Sequence, residues 1–176
     1  MCLGITAEEQ AEAEGVLAQQ GVAAGERLVM LVPGANFGSS KCWSPERFAQ
    51  VAEQFMARQG RYRARVILAG APTEKPIIDA IVAATRPELR GGLIPLTALN
   101  QGKGIGLGAV KALVARCTLM VCNDTGPRHF ACALGAGQLR EGKAPIGVVT
   151  LFGPTDPVWA ETYYAQERQV AMTPRP

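Results

Sequence analysis

Apolar residues follow two rhythms along this chain. Short, nearly unbroken apolar runs occur at Leu28–Val32, Arg65–Leu68, Leu119–Cys122 and Ile146–Phe152. Such runs, bounded by glycine, proline or small polar residues, predict buried strands of a parallel sheet. Between them the apolar positions recur at helical spacing. Thr6-Ala-Glu-Glu9 has the form of a capping box and predicts a helix to about Gln20, stopped by Gly21. Ser44 predicts the cap of a second helix, with Pro45 at its first position and Gly60 at its end. Phe48, Val51, Ala52 and Phe55 would share its inner face. Further helices are predicted from about Thr73 to before Pro87, over Leu107–Arg116, and over Pro127–Leu134. The stretch from Gly91 to Gly106 reads as loop with one short strand near Leu93. Gln138–Lys143 reads as an inserted polar loop to which no function is assigned.

Strands alternating with helices imply βαβ units, a parallel sheet and helices on both faces. The expected fold class is therefore α/β, a Rossmann-like domain. The composition agrees, since 48% of the 176 residues are hydrophobic and 19% are charged, which suits one globular core. A net charge of +3, without basic runs interleaved with aromatics, argues against a nucleic-acid partner. Cys2, Cys42, Cys117, Cys122 and Cys132 are odd in number and match no zinc-knuckle spacing. Three of the five sit among apolar neighbours in strand or helix patterns and read as small hydrophobes, which points to a reducing, cytoplasmic compartment. The amino terminus shows no basic segment followed by an apolar run, and no apolar stretch approaches the roughly 20 residues of a membrane helix.

The chemistry concentrates at Val121-Cys-Asn-Asp-Thr-Gly-Pro-Arg-His-Phe-Ala131, where a strand runs into small polar residues and a helix start. Asp124 and Thr125 are candidate caps for that helix, and Gly126 permits close backbone approach. Exposed N–H groups at such a start form an anion site. The single histidine, His129, follows one helical turn later. Lys41 lies in a glycine- and serine-containing loop after the first strand, where a phosphate-reading ammonium belongs. Asn36, Ser39 and Ser40 add amide and hydroxyl donors to the same loop. Glu74 follows the second strand, where a carboxylate can accept from ribose hydroxyls. Gly102-Lys-Gly-Ile-Gly-Leu-Gly108 is not preceded by a strand and fits no glycine fingerprint, and Gly142-Lys143 lacks the hydroxyl residue of a P-loop. No D-x-D occurs, so a metal-held diphosphate has no support in the sequence. Neither a cofactor nor a metal is expected.

Three segments, in this order and spacing, resemble a known family. They are Pro33-Gly-Ala-Asn-Phe-Gly-Ser-Ser-Lys-Cys-Trp-Ser-Pro-Glu-Arg-Phe48, Asn123-Asp-Thr-Gly-Pro-Arg-His-Phe-Ala131 and Leu151-Phe-Gly-Pro-Thr-Asp-Pro157. The chain from Leu28 to about Trp159 resembles the donor-nucleotide half of the ADP-heptose:lipopolysaccharide heptosyltransferases, glycosyltransferase family 9. That resemblance implies a two-domain GT-B enzyme of which this chain is the carboxyl-terminal half. Residues 1–27 would then be an interdomain helix and linker, and residues 28–176 the donor-binding domain, with the acceptor domain not on this chain.

By the same resemblance Lys41 contacts the donor phosphates, and Asp124, Thr125, Gly126 and His129 surround the diphosphate and sugar. Where the family carries a second basic residue after the lysine, this sequence has Cys42. Trp43 is expected to anchor the following helix. Ile105 or a neighbour would wall the adenine. The implied reaction transfers heptose from an ADP-sugar to the inner core of lipopolysaccharide with inversion. It would take place at the cytoplasmic face of the inner membrane, with peripheral membrane association. The general base is expected in the missing domain, so no residue here is assigned as catalytic and this chain alone is expected to be inactive. Two other readings stay open at this point, a stand-alone nucleotide-sugar binding module and a GT-B transferase of other sugar specificity.

Overall fold

The computed structural model describes residues 3–34, 41–154 and 156–171. Its centre is a six-stranded, all-parallel sheet built from β1 (Leu28–Val32), β2 (Arg65–Leu68), β3 (Leu93–Pro95), β4 (Leu119–Asn123), β5 (Gly147–Phe152) and β6 (Glu167–Ala171). The strand order is β3-β2-β1-β4-β5-β6. The apolar run of β1 is buried at every position because this strand lies between β2 and β4 with helices on both faces. Its register pairs Val29 with Val66 on one side and with Leu119 on the other. The order reverses direction between β1 and β4, and this is where an open α/β sheet leaves a crevice at the carboxyl ends of its strands.

Five α-helices cover the sheet: α1 (Ala7–Gln19), α2 (Pro45–Met56), α3 (Lys75–Ala84), α4 (Leu107–Arg116) and α5 (Gly126–Arg140). The side chains of β1 divide by alternation. Leu28, Met30 and Val32 join a core with α1, α4 and α5, including Leu17, Leu113 and Ala131. Val29 and Leu31 join the opposite core with α2 and α3, including Phe48, Ala52, Ile78 and Ile81. α1 is thus a full member of one layer, and the Lys111 ammonium, 2.7 Å from the Glu9 carboxylate, ties it to α4. The predicted capping box is present. Thr6 Oγ1 accepts from the Glu9 N–H at 3.2 Å, while Glu9 Oε2 accepts from the Thr6 N–H at 2.8 Å.

Several expectations are corrected. Ser44 stands at the cap of α2 but makes no side-chain cap bond, and the helix ends at Met56 rather than running to Gly60. Gly60 instead takes a left-handed φ of 57° in a separate turn. A short 3-10 turn over Pro72–Glu74 precedes α3, which begins at Lys75. α5 runs to Arg140, so Gln138–Arg140 is its last turn and not part of a loop. Gln138 has a structural role, since its amide donates to the Ala115 carbonyl at 3.2 Å and accepts from the Ile146 N–H at 3.0 Å. That bridge joins the ends of α4 and α5 to the entrance of β5. β6 was not predicted, because Glu167-Arg-Gln-Val-Ala171 carries too few apolar residues to read as a buried strand. It is the sheet's edge, where polar residues face water.

The chain leading into β6 is fastened by Tyr164, whose hydroxyl donates to the Ile146 carbonyl at 2.6 Å. Gly135 makes room for it, since a Cβ at that position would overlap the tyrosine hydroxyl. Burial pushes the Tyr164 phenol up to about 12. On the α2–α3 side the helices stop short of β5 and β6, leaving Val149 and Leu151 half-buried and Val170 exposed.

Candidate functional site at the carboxyl edge of the sheet

β1 and β4 are neighbours, so the segments leaving their carboxyl ends meet. Asn123, the last residue of β4, is fully buried and holds the two together. Its amide donates to the Pro33 carbonyl at 2.6 Å and accepts from the Trp43 N–H at 3.3 Å. This brings Lys41 against Asp124, with 3.0 Å between Nζ and Oδ2 and side-chain exposures of 18% and 15%. Asn36, Ser39 and Ser40 lie outside the described residues. Trp43 packs edge-on against Phe48 at 5.5 Å between ring centroids and carries the Arg47 guanidinium over its face, as expected of an anchor for α2. Lys41, Trp43, Asn123, Phe152 and Val170 border a cleft of about 480 Å³ beside the ion pair.

At the start of α5 the cap position falls to Thr125, whose side chain makes no cap bond. The expectation that Asp124 caps this helix fails because its carboxylate is engaged by cations instead. The first-turn N–H groups are therefore not occupied by the predicted cap. A Cβ added to Gly126 would meet none of the described residues within 4 Å, so the space beside this residue is open among them. His129 is exposed on the first turn of α5 and is no part of the core. Across β1, the half-buried Glu74 lies against the backbone of Gly34 and Gly70 at the ends of β1 and β2. A side chain on Gly34 would overlap the Glu74 carboxylate, which also accepts from the Ala71 N–H at 2.7 Å. Ile105 is half-buried, packs on the α4 side of the core, and lies two residues before that helix begins. Among the described residues, no hydrogen bond links Glu74, Ile105 or His129 to the Lys41–Asp124 pair.

One residue of the site was not foreseen. Arg128 is fully buried under the turn, and its Nε and Nη2 reach the two Glu167 oxygens at 2.5 and 3.1 Å. Its Nη1 lies 3.7 Å from Asp124 Oδ1 and makes no hydrogen bond. The only local signal in the sequence was a basic residue four positions after Asp124, across the start of a helix. Thr150 donates to Glu167 Oε1 at 2.5 Å, and Thr162 donates to the other oxygen. Burial alone would raise the Glu167 carboxyl, but Arg128, Thr150 and Thr162 outweigh it and hold it at about 2. Burial raises the Cys122 thiol to about 12 and also raises Cys132, so both are inert hydrophobes beside this network.

A depressed carboxyl stabilises the fold above its unfolded value and loses that contribution as pH falls toward its folded value. For Glu167 the window runs from about 4.5 down to about 2. The contribution lost over this window is on the order of 3 kcal/mol. Chemical denaturation at a series of pH values should show Glu167→Gln losing less stability than the parent between those limits. Equal acid slopes would show that Glu167 titrates normally.

A doubly wound parallel sheet, with a lysine, a helix N-terminus without a side-chain cap and a carboxylate over glycine backbone all at its carboxyl edge, defines a Rossmann-like α/β domain. The chain belongs to glycosyltransferase family 9 (heptosyltransferase), whose family pattern matches residues 3–175. It is 31% identical over 156 residues to the lipooligosaccharide heptosyltransferase 2 of Haemophilus influenzae, covering 88% of this chain and 40% of that protein. It is 30% identical over 130 residues to the lipopolysaccharide heptosyltransferase 2 of Salmonella typhimurium, covering 74% of this chain and 32% of that one. The fold matches that of E. coli ADP-heptose lps heptosyltransferase II with a TM-score of 0.74 at 23% identity, over 96% of this chain and 44% of the other. An E. coli heptosyltransferase solved with ADP matches at a TM-score of 0.59 and 23% identity, over 93% of this chain and 43% of the other. The chain thus spans between about a third and somewhat over two fifths of the length of these relatives.

Proposed function

We propose that this chain is the donor-binding half of an inverting GT-B glycosyltransferase that moves heptose from ADP-heptose to the inner core of lipopolysaccharide. Residues 28–176 form the donor domain in this reading, with residues 1–27 leading into it. The observation that carries the reading is the meeting of Lys41, Asp124 and the open start of α5 at the reversal of strand order. Departure of a nucleoside diphosphate builds negative charge on the leaving oxygens, and fixed cations and N–H donors aimed there lower the barrier. Lys41 and the first turn of α5 supply both. Glu74 accepts from the ribose hydroxyls, Ile105 lies against the adenine, and Asp124 and His129 face the sugar. Asn36, Ser39 and Ser40 belong to the same phosphate loop. The acceptor and the general base come from the other half of the enzyme, which works at the cytoplasmic face of the inner membrane.

Supporting this reading are the family membership and the relative solved with ADP. Calorimetric titration of the chain with ADP, ADP-heptose, UDP and GDP tests it. ADP and ADP-heptose should bind at least tenfold more tightly than the other two. Equal affinity for all three nucleotides would replace it with a module of other specificity, and no binding of any would sink it.

A further inference from the structure

We propose that Arg128 is a positioning residue for donor binding, a buried cation that keeps Asp124 balanced when Lys41 turns to the phosphates. The inference rests on the donor-site reading above. Without ligand, Lys41 and Asp124 neutralise one another at 3.0 Å. A diphosphate that draws Lys41 to itself would leave Asp124 as a bare carboxylate beside new negative charge. Like charges at such distances in a partly buried site oppose binding.

The arrangement beneath the turn answers this problem. Glu167 grips Arg128 from the far side through Nε and Nη2, which fixes the plane of the guanidinium. Phe152 lies under it, with 5.1 Å between the guanidinium carbon and the ring centroid. The nitrogen left over, Nη1, is buried, has no hydrogen bond, and lies on the Asp124 side at 3.7 Å. A small turn of the Asp124 carboxylate closes that gap. Lys41, Asp124, Arg128 and Glu167 form a charge-neutral quartet, so Lys41 can change partner without stranding a carboxylate. Arg128 itself, fully buried, touches no ligand. It acts through Asp124.

The test is the double variant Arg128→Met/Glu167→Gln, which removes both buried charges and strands neither, examined with and without Asp124→Asn. ADP is the probe, and melting temperatures are recorded alongside affinities. The double variant should bind ADP at least tenfold more weakly than the parent, and adding Asp124→Asn should recover most of that loss. In the parent, Asp124→Asn alone should not strengthen binding. Parent-like affinity in the double variant, or a loss that Asp124→Asn leaves unchanged, would overturn the inference while leaving the donor site standing. Failure of the parent to bind ADP removes both. A measurement on the parent needs no variant to fold: in nitrogen NMR, saturating ADP should shift the Arg128 Nη resonances and slow their proton exchange. Unmoved resonances count against the proposal.

Discussion

Arg128→Ala is expected to lower the unfolding free energy by about 3–5 kcal/mol, the range for stripping one partner from a buried ion pair. Removing the guanidinium leaves Glu167, with side-chain exposure of 2%, as an uncompensated buried carboxylate held only by Thr150 and Thr162. It also opens a void against Phe152. In a domain of this size the melting temperature should fall by roughly 10 °C. Arg128→Met/Glu167→Gln should melt much closer to the parent, because a buried pair replaced by neutral groups of similar volume is often neutral in stability. A glutamine at this position can still accept from one threonine and donate to the other. Urea titration of the two variants side by side checks the contrast. If the single change costs less than about 1 kcal/mol, the network is not buried as described.

Lys41→Ala should weaken ADP binding by about 1.5–3 kcal/mol, the cost of losing a charge-assisted hydrogen bond. That corresponds to roughly 10- to 150-fold in Kd. Stability should change by about 1 kcal/mol or less, because Arg128 remains beside Asp124 when the ammonium is gone. Affinity and stability therefore separate in this variant, whereas Arg128→Ala affects stability first. Calorimetry and thermal melts on one preparation read both. Unchanged ADP affinity would remove Lys41 from the site.

The strands that cross the middle of the sheet were legible because burial on both faces forces continuous apolar runs. β1 and β2 begin and end where their patterns do. β6 was not legible, since an edge strand with Arg168 exposed and Gln169 half-buried carries no such pattern. The far end of α5 was also missed. Its last turn holds Gln138, whose bonds to Ala115 and Ile146 replace apolar burial with amide contacts that periodicity cannot register. The motif spacing singled out Lys41 and Asp124 as candidates, and the topology brings the two side chains together. It misassigned Asp124 as a cap, because a carboxylate before a helix satisfies the same local pattern whether it bonds backbone or side-chain cations. The role of Arg128 depends on Glu167, 39 positions away, and local reading has no access to a partner at that distance.

The first strand of the sheet lies at its centre, and that has a consequence for how the protein comes into being. β1 precedes β4 in the chain and must wait for it, and the contacts that seal them, Pro33 to Asn123 and Lys41 to Asp124, join residues 90 and 83 positions apart. Closing chain segments of that length costs more entropy than forming local helices, and parallel pairing of this kind is slow. α2, β2 and α3 can assemble on β1 beforehand, since their contacts are nearer in sequence. Lys41 and Asp124 meet only when the two halves of the sheet zip together. The Lys41–Asp124 pair therefore forms with that long-range pairing rather than accumulating gradually, and a chain in which β4 has not yet joined β1 has no half-formed version of it.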